Sequence, residues 1–289
     1  MQEQDHDGHH SKIQIPSLHS FTINYFSYLC RLQKYKKTMD TIKQINNHRS
    51  IRRFQDRAIE PALLDEILTC GLRASNTGNM QIYSIIVTQE PELRKKLSDL
   101  HYGQGASAPT HLTICVDINR YHHWCRLRGC DEPYDNLLWL LSGTVDASLC
   151  AQNICIAAES KGLGICYLGT VLYNTEAIAK LLNTPQGVVP VISIVMGYPD
   201  EQPALSERLE LEGIVHNETY HDYSDDDIDR IHRVREEFPF NQEMVRQNRT
   251  RNLAEIFTKI RYPKKDNIAI SKSLYDFIQN NFCKINPNH

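Results

Sequence analysis

The sequence of 289 residues lacks several features that would decide its class at once. It has no excess of positive charge: 32 Lys and Arg face 35 Asp and Glu, for a formal net charge of −3. A dedicated nucleic-acid binder usually carries a basic surplus, so no nucleic acid is expected as a partner. No uninterrupted apolar run in it approaches the roughly 18–20 residues of a membrane span, so no membrane is expected either. GxGxxG and GxxxxGK[ST] are both missing, which excludes nucleotide sites built on a glycine-rich phosphate loop. No GxSxG elbow supports a hydrolase. Paired CxxC spacing is missing too, so His122, His123, Cys125 and Cys130 make a poor zinc site, and no metal is expected. The nine cysteines are an odd number at irregular spacing, several of them set among apolar residues as at Cys150 and Cys155. Free thiols there behave as small hydrophobes, and a reducing cytoplasm is the expected compartment.

What is present describes a globular protein: 41% hydrophobic and 8% aromatic residues are ordinary values for one, and the length allows a substantial core. The first 38 residues stand apart. They are polar and His-rich at His6, His9 and His10, then mixed aromatic and polar without periodicity. They are expected to be a dispensable, disordered extension, with the domain running over 39–289 and a helical excursion from about residue 221. Met39 opens a helical pattern with Ile42 and Ile45 on one side. Pro61 suits the first turn of a helix toward Arg73. Further helices are expected from Pro91, over 143–161, over 175–182, from the acidic turn Ser224–Asp227 to Glu237, and through Ile270, Leu274, Phe277 and Ile278. Strands are expected over 83–88, 112–118, 165–168 and 188–196. The stretch 143–161 is apolar and small on nearly every face, which places it in the core. Helices and strands interleave without strict alternation, so the expected class is α+β with a mostly antiparallel sheet flanked by helices.

Three clusters suggest chemistry. His48, Arg49, Ser50, Arg52 and Arg53 form a dense cationic segment, and arginines with a hydroxyl and backbone N–H groups hold phosphate through charge-assisted bonds. The polar loop Ser75-Asn76-Thr77-Gly78-Asn79 stands between a helix and a strand. Tyr167-Leu168-Gly169-Thr170 lies where a strand ends, and Gly169 there lets a flat ring approach the main chain.

In their order along the chain, these clusters resemble the nitroreductase family. The resemblance is carried by His48-Arg49-Ser50-Ile51-Arg52, by residues 75–81, by 151–164, by Tyr167-Leu168-Gly169 and by Gly197-Tyr198-Pro199. Arg208-Leu209 and Val215-His216-Asn217-Glu218-Thr219-Tyr220 resemble the NADPH-dependent, oxygen-insensitive subgroup and its NADPH–flavin oxidoreductases. The resemblance covers about residues 42–283. It implies an FMN enzyme built as an intertwined homodimer, with flavin sites at the subunit interface. His48, Arg49, Ser50 and Arg52 would hold the phosphate, ribityl and pyrimidine groups. Asn76, Asn79 and Gln104 would contact FMN, and Tyr167, Leu168, Gly169 and Thr170 would lie along the ring. Arg208 would join the phosphate site, although the subgroup's Lys two residues earlier is Ser206 here, followed by Glu207. Arg249 and Arg251, in the basic stretch 246–251, would meet the 2′-phosphate of NADPH. No catalytic side chain is implied. Hydride would pass from NADPH through flavin to nitroaromatics, quinones or free flavin in a ping-pong scheme, and the alternative is a protein that stores or senses flavin without efficient turnover.

Overall fold

The computed structural model describes residues 41–131 and 135–282. The expected extension over 1–38 lies outside the described residues. By its contacts the chain divides into two units, Met1–Lys43 and Gln44–His289, and the fold below is that of the second. Its sheet has four strands, β1 (Tyr83–Thr88), β2 (Thr110–Asp117), β3 (Gly164–Tyr167) and β4 (Val188–Gly197), in the order β1-β2-β4-β3. Every pair is antiparallel, as expected from the sequence.

Every residue of β2 is buried, the polar Thr110, His111, Thr113 and Asp117 along with Leu112, Ile114, Cys115 and Val116, so both faces of the strand are covered. Ile114 opposes Ile85 on one side and Ile192 on the other, and the register slips beyond it so that Cys115 faces Pro190. A proline has no N–H for the ladder and belongs at such an irregularity.

The helices are α1 (Thr41–Asn46), whose first three residues belong to the first unit, α2 (Pro61–Gly71), α3 (Pro91–Leu100), α4 (Asn119–Leu127), α5 (Leu137–Ser160), α6 (Thr175–Leu181), α7 (Asp225–Glu237), α8 (Pro239–Gln247) and α9 (Lys264–Asn281), of which α5, α6 and α9 pack on the sheet. In α1 it is Gln44 that is buried, while Ile45 is exposed, so the apolar face read from the sequence does not point inward. The Gln44 side-chain amide instead donates to the Ile156 carbonyl of α5. α5 is the central helix. It begins six residues before the expected start of 143, because the Asn136 side chain accepts from the Trp139 N–H at 3.2 Å and caps it. Its inner face carries Leu140, Gly143, Ala147, Cys150, Ala151, Ile154 and Ala158, all buried, and it packs on β2, β4 and α2. Gly143 sets the closeness of that packing, since a Cβ there would stand 2.5 Å from Val116 Cγ1. By length and composition α5 is also apolar enough to cross a membrane; in this fold one apolar face of it packs on the sheet and another, with Leu138, Leu141, Val145 and Leu149, is exposed. α4 was not expected, because its polar sequence Asn-Arg-Tyr-His-His-Trp-Cys-Arg-Leu buries no residue.

Candidate functional site

The cationic segment 48–55 has no regular structure of its own, so its backbone groups need partners elsewhere. Ile51 N–H donates to the Ile165 carbonyl of β3 at 2.8 Å, and Gln55 N–H donates to the Tyr198 carbonyl, just past β4, at 2.9 Å. Between these anchors, Glu201 Oε1 accepts the backbone N–H of Arg52 at 2.5 Å and of Arg53 at 3.1 Å. The bond from Arg52 is the main reason that the Glu201 carboxyl titrates below its ordinary value. The segment is thus clamped between the ends of β3 and β4, which frees its side chains for other work. His48 Nδ1 lies 2.6 Å from Glu159 Oε1 at the C-terminal end of α5. Arg49 Nη1 donates to the Asn47 carbonyl at 3.0 Å, yet its Nε is buried without a partner among the described residues.

Arg52 then lines a cavity of about 280 Å³ together with Gln104, Ser107, Cys166 and Leu168. Three of the expected site residues, Arg52, Gln104 and Leu168, meet there from distant parts of the chain. Much of the wall is the turn after α3, in which Gly105 has φ +75° and a Cβ would stand 2.5 Å from Val195 Cγ1. Only glycine fits that turn. Two buried histidines support it. His111 Nε2 is 3.0 Å from the Gly105 carbonyl, and His101 Nδ1 is 2.7 Å from Thr170 Oγ1. Burial, with the neighbouring His111 as a lesser cause, pushes the His101 imidazole down to about 4. Gly169 has open space where a Cβ would be.

The other expected residues sit farther out. Asn76 is occupied within its own loop, its Oδ1 accepting from Gln81 N–H at 3.1 Å, and Asn79 has φ +57°. The loop is tied to α5 by the buried Asp146, whose Oδ1 accepts from Thr77 N–H at 2.9 Å and Thr77 Oγ1 at 3.0 Å. Ser50 forms a bridge to Ile165. The Tyr167 hydroxyl lies 3.5 Å from Gln152 Oε1. Arg208 is exposed and does not line the cavity; its Nη1 donates to Ser206 Oγ at 2.6 Å and to the Glu207 carbonyl at 2.9 Å. Glu207 turns away toward Asn241 Nδ2, at 3.1 Å. In the basic stretch, Arg249 is exposed with φ +54°, whereas Arg251 Nε donates to Glu255 Oε1 at 2.7 Å. Among the described residues no group of three or more His, Cys, Asp and Glu side chains stands close enough to hold a metal. Sequence reasoning missed Glu201, Ser107, His101 and Asp146. Their partners are backbone groups or hydroxyls far along the chain, and no local pattern marks them.

The Nitroreductase family model matches residues 45–125 and 142–198. The oxygen-insensitive NADPH nitroreductase of Salmonella typhimurium is 35% identical over 182 residues, 62% of this chain and 74% of that protein. The chain belongs to the nitroreductase family. A second member, the FMN reductase (NADPH) of Bacillus subtilis, is 34% identical over 191 residues, covering 65% of this chain and 77% of its own length. The crystal structure of a protein from Bacteroides fragilis superposes with a TM-score of 0.81 at 40% identity, over 84% of this chain and 98% of that one. The clamp on residues 48–55 and the cavity beside it both fall within the matched segments of the nitroreductase family, apart from Glu201.

Proposed function

We propose that this nitroreductase is an FMN-dependent oxidoreductase that passes hydride from NADPH to small acceptors such as nitroaromatics, quinones or free flavin, in two half-reactions at one site. The observation that carries the reading is the cavity: Arg52, Gln104 and Leu168 converge on it, and beside Arg52 in the chain the buried Arg49 Nε has no partner among the described residues. Buried polar atoms are seldom left so, and a guanidinium N–H still without an acceptor suits an anionic group from outside the chain. His48, Arg49, Ser50 and Arg52 would hold the phosphate, ribityl and pyrimidine groups of FMN, with Arg208 joining at the phosphate. Asn76, Asn79 and Gln104 would add hydrogen bonds. Leu168, Gly169 and Thr170, with Tyr167, would face the flat ring, and the missing side chain of Gly169 allows the backbone to approach it. FMN, when bound, supplies the hydride chemistry. The protein's own part is to bind, orient and exclude water, so no nucleophile is required of it.

Two features support a homodimer. Leu138, Leu141, Val145 and Leu149 form an exposed apolar stripe along α5, on the face opposite the sheet. The cavity, at about 280 Å³, falls just short of the roughly 300–1,000 Å³ of complete ligand sites, as it would if a second copy finished it. The same reading places the enzyme in the cytoplasm and treats residues 1–38 as a dispensable extension.

Anaerobic titration of the purified protein with NADPH and with NADH is the test. Flavin absorption that bleaches with NADPH and returns on adding an acceptor supports the reading. Flavin that stays oxidised supports storage or sensing instead, and a colourless protein that does not take up added FMN overturns both.

A further inference from the structure

Helix α4 ends in a form that places two cysteines at the two ends of one backbone hydrogen bond. Gly129 takes φ +65° just past the helix; its N–H donates to the Arg126 carbonyl at 3.1 Å and the next N–H, of Cys130, to the Cys125 carbonyl at 3.0 Å. These two bonds define the Schellman ending of a helix, in which the side chains at the two ends of the longer bond habitually touch. In this protein both of those side chains are thiols. An N···O separation of 3.0 Å keeps the two Cα atoms within about 7 Å, at or inside the window for a disulfide. Cys130 is exposed and Cys125 half-buried, whereas Cys115, Cys150 and Cys155 are buried in the core and Cys166 is buried in the cavity wall. Cys70 is exposed too, on α2.

We propose that Cys125 and Cys130 are a dithiol modification site that takes low-molecular-weight disulfides and closes into an intramolecular disulfide. The exposed Cys130 thiolate attacks one sulfur of the small disulfide, expels one thiolate and leaves a mixed disulfide on the protein. Cys125 then attacks the Cys130 sulfur, expelling the second small thiolate. Two protein thiols are oxidised, one small disulfide is reduced to two thiols, and the two protons lost by the cysteines pass to the released thiolates. Closure needs no refolding, because the helix ending already holds the backbone in place. The oxidised form carries a covalent staple across the C-terminal end of α4, next to Trp124, whose ring lies 5.6 Å from that of Tyr121.

The inference is independent of flavin chemistry and is read by mass. The reduced full-length protein is incubated with oxidised glutathione, alkylated and digested with trypsin without reduction. Cleavage after Arg126 and Arg128 separates the two cysteines, so the disulfide appears as a linked pair of peptides lighter by two hydrogens. The expected result is that linked pair, with glutathione retained on Cys70 but not on Cys130. In Cys125→Ser, glutathione should accumulate on Cys130 instead; Cys125→Ala serves equally, with circular dichroism confirming that each variant is folded. Glutathione retained on Cys130 of the wild type to the same extent as in the variants overturns the proposal. So does the absence of any reaction at Cys130 under conditions that modify Cys70.

Discussion

Lowering the pH from 7 to 5 should destabilise the protein through His101, and Gln at this position should remove much of that loss. His101 is 1% exposed and beneath the turn that lines the cavity. Its imidazole titrates at about 4 when folded, against an ordinary 6.5, because burial penalises the charged ring. The unfolded chain therefore binds the proton more readily, and stability rises with pH across this range. The contribution is fully present above 6.5, falls as the pH drops, and is gone below about 4. At 1.36 kcal/mol per unit, the whole difference is about 3 kcal/mol, and roughly 2 kcal/mol of it is lost by pH 5. His101→Gln keeps a side chain able to reach Thr170 Oγ1 and cannot be protonated, while His111 and the other histidines remain in both proteins. Urea unfolding of the holoprotein at pH 7, 6 and 5 measures the difference. The wild type should lose about 2 kcal/mol more than the variant between pH 7 and 5. Equal losses would refute the argument and mean that the ring is charged in the fold or solvated there.

Gly143→Ala should lower stability by about 1–3 kcal/mol, as overpacking does, because the added methyl meets Val116 Cγ1 at 2.5 Å; thermal unfolding shows it as a drop in Tm. Glu201→Ala should weaken FMN binding roughly tenfold while leaving the fold intact, since it releases two backbone N–H groups of the clamp at about 1 kcal/mol or more; flavin fluorescence measures the affinity. Arg249→Ala should raise the KM for NADPH and leave that for NADH unchanged. Arg251→Ala should do so less, because Glu255 already holds that guanidinium, and steady-state kinetics with both nucleotides separates the two.

Much of the sheet is legible in the sequence because β4, covered on both faces, is written as an almost unbroken apolar run, and β2 keeps Leu112, Ile114, Cys115 and Val116 near its centre. The start of α5 is not, since Leu137, Leu138 and Leu141 are apolar but exposed and break the inward periodicity. α4 is hidden for the opposite reason: it buries nothing, so no apolar spacing announces it. At the site, residue types were readable and their meeting was not. His48–Arg52 signals anion binding by composition, but that Arg52 shares a cavity with Gln104 follows from the anchoring of the segment at Ile165 of β3 and at Tyr198 just past β4. Glu201 and His101 carry no local signature, because each acts on a partner about 150 and 69 residues away.

The strand order also has a consequence for the birth of the chain. β2 pairs with β1, which precedes it, but its other edge waits for β4, whose residues 188–197 are made much later. Through that interval the nascent chain carries Leu112, Ile114 and Val116 on a strand with one open edge, and its covering helix α5 is complete only at Ser160. Long-range pairing of this kind is slow and exposes sticky intermediates. Expression should therefore be limited by events on the ribosome and shortly after release, and slower translation at lower temperature should raise the soluble yield without changing the stability of the finished protein.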